Sequence, residues 1–206
     1  PVTYHFKSRI KDPRGTNPSY YCDGGNDTSI TIYLNPTPKL SVSVPEEIYC
    51  DSSTVNITVN DGTQGVIGTK VYQLTTTYTA GAVEGVQPDG EYPADLDISD
   101  DLVNRTREVQ QIDYLFKARI RDDRPGHEGL FCDQGGDTMI TIWLNPTPDI
   151  EVEIANDTIC NEDFISINVT NPNITIGNWR YRLEVDYGDS IEGTLPPLPL
   201  YMDFGE

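Results

Sequence analysis

Long apolar runs are missing from this 206-residue chain, and no stretch shows the 3.6-residue apolar period of an amphipathic helix. The first absence excludes a helical membrane span, and the second argues against a helical fold. Basic residues are scarce: 14 Lys and Arg stand against 33 Asp and Glu, for a formal net charge of −19. A surface this acidic repels phosphate, which argues against nucleic acid and anionic lipid as partners. Histidine is reduced to His5 and His127, and a 110-residue shift of the chain on itself sets Leu115 opposite His5 and Asn17 opposite His127. No Cys-x-x-Cys pair, Gly-x-Ser-x-Gly elbow, P-loop or zinc-type His motif occurs. With catalytic and redox signatures lacking, the expectation is a protein that is not an enzyme.

What is present is β-sequence. Thr, Val, Ile and Tyr abound, Gly and Pro punctuate often, and apolar and polar residues alternate in "KLSVSV", "STVNITV", "ITIYLN", "IEVEI" and "ISINV". In "WRYRLEVDY", Trp179, Tyr181, Leu183, Val185 and Tyr187 share one face, which predicts a half-buried antiparallel strand. The opening "PVTYHFKSRI" also reads as a strand, so the chain is expected to begin within folded structure.

The strongest signal is internal repetition. "CDGGNDTSITIYLNPTP" from Cys22 returns as "CDQGGDTMITIWLNPTP" from Cys132, and "YHFKSRIKD" from Tyr4 returns as "YLFKARIRD" from Tyr114. Cys50 likewise matches Cys160, and after a one-residue shift "VYQLTTTY" matches "RYRLEVDY". The natural joint is "NPTP", because proline cannot donate to a sheet ladder and stiffens a short linker. On that frame residues 1–36 are the C-terminal part of a preceding repeat, 37–146 a complete repeat, and 147–206 the N-terminal part of a following one. The complete repeat predicts strands near 39–44, 54–60, 69–79, 112–121 and 137–145, with weaker strands between 80 and 110. A single duplicated two-domain protein with permuted boundaries is the alternative.

About seven strands in a repeat of this size match an immunoglobulin-like sandwich. The succession "NPTP", strand, "IYC" or "TIC", strand, then "Y-x-F-x-x-x-I", a Cys-containing loop and "ITI-x-LNPTP" resembles the PKD-like, immunoglobulin-like tandem repeats of Bacteroidetes cell-surface proteins. The closest resemblance is to gliding-motility adhesins of the SprB type, exported by type IX secretion. The resemblance covers nearly the whole chain, although the polycystic-kidney "W-x-F-G-D-G" signature is absent. It implies an all-β fold of tandem antiparallel β-sandwiches of about 110 residues, on the cell surface. It also implies partners: neighbouring repeats, the outer-membrane secretion and motility machinery, and an external surface or polysaccharide.

Two cysteines per repeat suggest disulfides in an oxidising compartment. The favoured pairing is Cys50–Cys132, with Cys22 and Cys160 bonded to partners outside this stretch. Cys22–Cys50 with Cys132–Cys160 is the alternative, and free thiols a third. Simple sandwich geometry troubles both pairings, since the cysteines tend to fall at opposite poles.

Asp23, Asp27, Asp133 and Asp137 set hard oxygen ligands among glycines and are candidate calcium ligands; Asp95, Asp97, Asp100 and Asp101 form a second acidic cluster. The alternative is that Asp-Gly pairs simply make turns. Asn-x-Thr triplets at Asn26, Asn56, Asn104, Asn156, Asn168 and Asn173 are N-glycan acceptors in a eukaryotic setting. Asp-Thr/Ser-aliphatic triplets resemble the O-glycosylation motif of Bacteroidetes envelope proteins and nominate Thr138, Thr158 and Ser190. Aromatics recur at matched positions (Tyr33 with Trp143, Tyr4 with Tyr114), which favours packing or contacts between repeats over a sugar platform. The function expected is a structural and adhesive segment of a long repetitive surface adhesin. The rivals are a spacer or carbohydrate-binding module of a secreted polysaccharide-degrading enzyme, and a eukaryotic cell-adhesion ectodomain.

Overall fold

The structure is a computed structural model that describes residues 1–11, 21–127, 129–160, 163–188 and 202–203. It is all-β, with no helix among the described residues. The strands β1 (Val2–Lys7), β2 (Ile10–Lys11), β3 (Tyr21–Cys22) and β4 (Asp27–Ile32) come first. The central segment holds β5 (Leu40–Ser43), β6 (Ile48–Tyr49), β7 (Ser53–Asp61), β8 (Thr69–Tyr78), β9 (Val83–Glu84), β10 (Gly90–Pro93), β11 (Ile98–Asn104), β12 (Gln110–Arg121), β13 (Phe131–Cys132) and β14 (Asp137–Leu144). After them come β15 (Glu151–Ile154), β16 (Ile167–Thr170), β17 (Arg180–Tyr181) and β18 (Met202–Asp203).

The central segment is a β-sandwich. One sheet runs β5-β7-β11-β9; the other runs β10-β8-β12-β14-β6, with β13 also paired to β12. Period-two alternation supplies the core. Val55, Ile57 and Val59 of β7 meet Ile112, Tyr114 and Phe116 of β12, with Leu74, Leu102, Ile142 and Leu144 filling between them. Each large side chain so buried contributes about 1.5–3 kcal/mol. Between β5 and β6 the chain changes sheets at Pro45, which has no N–H to continue a ladder. Strand β6 then lies parallel to β14, the one parallel pairing between named strands.

The flanking strands pair as the central ones do, 110 positions away. Val2↔Ile32 through Lys7↔Asp27 corresponds to Ile112↔Ile142 through Lys117↔Asp137. Ile10↔Cys22 corresponds to Ile120↔Cys132, and Glu151↔Thr170 to Ser41↔Asn60. What differs is burial. Phe6 is 52% exposed where Phe116 is fully buried, because among the described residues no second sheet covers β1 and β4.

The expected strands at 39–44, 54–60, 69–79, 112–121 and 137–145 all appear within two residues. The long strand expected over 179–187 does not form. Only Arg180–Tyr181 is strand, paired with Met202–Asp203, and Leu183, Val185 and Tyr187 are exposed. Alternation marks a face, but a strand persists only where a neighbour takes up its backbone hydrogen bonds. The region 80–110, expected to be weak, contains β11, a seven-residue strand with four positions in the core.

Candidate functional site

The "NPTP" joints are where chemistry concentrates. A proline on either side ends the β-ladder, so backbone groups across the joint need other partners. Asparagine supplies them, since its amide carries a donor and an acceptor side by side. Asn35 Nδ2 donates to the Ile67 carbonyl at 2.8 Å, and its Oδ1 accepts from the Ile67 N–H at 2.8 Å. At the other joint Asn145 Nδ2 donates to the Ile176 carbonyl at 3.0 Å, and its Oδ1 accepts from the Ile176 N–H at 2.8 Å. Each amide therefore closes on one residue like an extra rung of sheet. The clasped residue is followed by glycine at φ +108° in both places, Gly68 and Gly177, a conformation that side-chain-bearing residues rarely adopt. At Gly68 an added Cβ would also collide with the Arg121 carbonyl.

A second pair of contacts is shared. The Lys39 N–H donates to Thr63 Oγ1 at 2.9 Å, and the Asp149 N–H donates to Asn173 Oδ1 at 2.7 Å. Thr63 and Asn173 are both buried, each preceded by a turn in which its own N–H bonds the side chain two residues earlier, Asp61 or Asn171, at 2.8 Å. The second joint has further contacts. The Val109 N–H donates to the Ile174 carbonyl at 2.8 Å, and the Ile174 N–H to the Arg107 carbonyl at 2.9 Å. Arg107 also reaches Asp149 at 3.0 Å and Glu151 at 3.2 Å, although these pairs are exposed and worth little. Asp51 ties the same joint to the sandwich, accepting from the Asn104 N–H at 2.6 Å and from Thr147 Oγ1 at 2.5 Å. Burial alone would raise the Asp51 carboxyl, but bonds from Thr147, the Asn104 N–H and Ser52 hold it below its ordinary value. At the first joint Arg124 lies 5.3 Å from the centre of the Tyr33 ring, placing a repeated aromatic in a contact across the joint.

The Cys50–Cys132 pairing is corrected by this geometry. Cys50 follows Tyr49, which lies beside Leu144 and hence opposite the start of β12, whereas Cys132 pairs with Ile120 near its end. At about 3.3 Å per residue the two cysteines are roughly 30 Å apart, far beyond disulfide reach. All four cysteines are free thiols, so the alternative pairing Cys22–Cys50 with Cys132–Cys160 is not formed either.

The candidate calcium ligands fall in two matched hairpins, 110 positions apart. Asp23 faces Arg9 at 3.1 Å, Asp133 faces Lys117 at 3.8 Å, and Asp27 and Asp137 begin β4 and β14. Among the described residues no three His, Cys, Asp or Glu side chains converge on one point. In the second acidic cluster, Asp97 caps the Val59 N–H at 2.7 Å and Asp101 accepts from Thr54 Oγ1 at 2.6 Å. Asp100 is buried on the core face, accepting from Tyr114 Oη at 2.7 Å and the Gln87 N–H at 2.8 Å. Burial raises the Asp100 carboxyl despite these two bonds, and burial likewise raises the Tyr114 phenol, with the Asp100 bond adding to it. The sequence carried this site in its period: Ile98, Asp100, Leu102 and Asn104 alternate inward together.

Of the O-glycan candidates, Thr158 is exposed, Thr138 is half-buried in β14, and Ser190 lies outside the described residues. Two Asn-x-Thr triplets are structural. Asn104 is buried, its Nδ2 donating to the Glu108 carbonyl at 2.8 Å and the Leu144 carbonyl at 2.9 Å. Asn173 is buried at the joint with its Nδ2 donating to the Thr147 carbonyl at 3.3 Å. Asn26, Asn56, Asn156 and Asn168 are exposed. His5 is exposed on β1, and His127 Nδ1 stands 3.4 Å from Asp122 in a loop. No family model and no curated protein matches the chain.

Proposed function

We infer that this chain is a structural and adhesive segment of a long, repetitive cell-surface adhesin, built from tandem immunoglobulin-like units and similar to the gliding-motility adhesins of the SprB type. The observation that carries the reading is the twin clasp: Asn35 on Ile67 and Asn145 on Ile176 make the same two hydrogen bonds at both joints. A loose linker has no reason to repeat a two-point bond; a fibre that must hold its units in line does. The immunoglobulin-like identity is supported by strand order, β5-β7-β11-β9 against β10-β8-β12-β14, with the first strand divided between the sheets by Pro45. The open faces of β1 and β4, lined by Val2, Tyr4, Phe6, Ile30 and Ile32, fit strands of a unit whose other sheet belongs elsewhere in the array.

In this role each unit folds on its own core and stability is close to a sum over units and joints. The negative charge keeps neighbouring fibres apart and the array soluble. The segment works outside the cell, exported through the outer membrane, coupled at its base to the motility machinery and touching a substratum along its length. The test is labelling of living source cells. Antibodies to this chain should decorate intact cells along extended filaments and impede their movement over a surface. Labelling that appears only after lysis would refute the reading.

A further inference from the structure

We propose that successive units are cross-linked at each joint by a disulfide, between the cysteine at the position of Cys50 in one unit and the cysteine at the position of Cys132 in the next. The proposal rests on the reading of the chain as an array of like units.

Each joint shows one half of the arrangement. At the second joint, β6 runs parallel to β14 with Ile48 beside Trp143 and Tyr49 beside Leu144. The Asn145 N–H then donates to the Tyr49 carbonyl at 2.8 Å. Continuing that register by one step sets Cys50 beside Asn145, with both side chains on the same side of the ladder. At the first joint the other cysteine arrives from the opposite direction: Asn35 Nδ2 lies 3.8 Å from Cys132 Sγ. Asn35 and Asn145 are equivalent by sequence and make the same clasp. A joint flanked by two whole units therefore brings both thiols to one asparagine, the first from the unit before it and the second from the unit after it.

Within these 206 residues the two thiols stand at different joints, which accounts for four free cysteines in a chain whose repeats each carry two. The approach is also built from the far side. The loop bearing Cys132 packs so closely on the joint that a Cβ at Gly135 would lie 2.6 Å from the Pro38 carbonyl oxygen. Cys50 is exposed and Cys132 half-buried, so an oxidant can reach the pair. The step is thiol–disulfide exchange with a small disulfide such as oxidised glutathione. One cysteine thiolate attacks it and expels one glutathione; the second displaces the other. A protein S–S bond forms, two glutathione thiols leave, and the two protein thiol protons end on them.

The experiment is a lengthened chain in which a second copy of residues 37–146 is inserted after Pro146, so that one complete unit follows another. It is equilibrated in glutathione redox buffer, its free thiols are counted, and its non-reduced peptides are mapped. The expected result is one disulfide, joining Cys50 of the first copy to Cys132 of the second, with the other four cysteines free. In the same chain, Asn145→Ala in the first copy should lower the equilibrium constant for that bond about tenfold, because the clasp that aligns the thiols is lost. A Cys50–Cys132 bond within one copy, or six free thiols in a chain whose inserted copy is folded, overturns the proposal and leaves the array standing. If amide exchange shows that the inserted copy does not fold, the array reading fails, and the proposal with it.

Discussion

Replacing Asn145 by alanine isolates the joint from the core. The side chain makes two hydrogen bonds, at 2.8 and 3.0 Å, both to Ile176 and both only partly buried. Each is worth about 1 kcal/mol net, and water can reach the freed groups, so the substitution should cost about 1–2 kcal/mol. None of that cost falls on the sandwich core, since Asn145 lies beyond the end of β14. The assay is native-state amide exchange read residue by residue. The Ile176 amide should exchange about 5–30 times faster, because each 1.4 kcal/mol is tenfold in the opening equilibrium. Ile174 and Val109, bonded across the same joint, should accelerate with it. The amides of Ile112, Tyr114 and Phe116 should not change. Asn145→Asp should be worse than alanine above the carboxylate range: it keeps an acceptor for the Ile176 N–H but turns a charged oxygen toward the Ile176 carbonyl. Unchanged exchange at Ile176, or acceleration spread evenly through the central segment, would refute the clasp as the element that holds the joint.

Phe116→Ala should destabilise the central segment by about 3–5 kcal/mol, whereas Phe6→Ala at the matched, half-exposed position should cost under about 1 kcal/mol; equal losses in denaturant melts would contradict the burial difference. Asp100→Asn keeps an oxygen to accept from Tyr114 and the Gln87 N–H while removing the buried charge. Because burial raises the folded Asp100 value above 3.8, its stabilising contribution is complete below that pH and is lost as pH rises through the folded value. The stability advantage of the variant should therefore grow as pH rises from 3.8 through the folded value, and a flat difference would refute the assignment. Asp51 runs the other way: its value is lowered, so its contribution is present above 3.8 and fades as pH falls through the folded value. Asp51→Asn should shrink the acid-side loss measured by the same melts. In a eukaryotic secretion host, glycans should be found on Asn56 and never on Asn104 or Asn173, whose amides are already bonded inside the fold; peptide mapping decides it.

Much of the fold is legible from pattern alone. Val55, Ile57 and Val59 alternate, as do Ile112, Tyr114 and Phe116, and a period of two assigns each run one buried face whatever its neighbours are. The two NPTP segments were legible as proline punctuation, but the role of Asn35 and Asn145 was not, because a lone asparagine beside proline looks like any turn residue. Asp100 was hidden by chemistry: grouped with Asp95, Asp97 and Asp101 it reads as solvated charge, and only the phenol of Tyr114 explains its place inside. The alternating run from Trp179 to Tyr187 misled in the opposite sense, since among the described residues only Arg180–Tyr181 of it is strand.

By itself the sequence determined the β class, the 110-residue period and the central strands, because these depend on local alternation and on proline, which act within a few residues. Tertiary structure decided which thiols can meet, which acid is buried and which asparagines are free. Those outcomes turn on distances between strands far apart in the chain: β6 runs beside the end of β14 while β13 closes on the far end of β12, and that placement keeps Cys50 from Cys132.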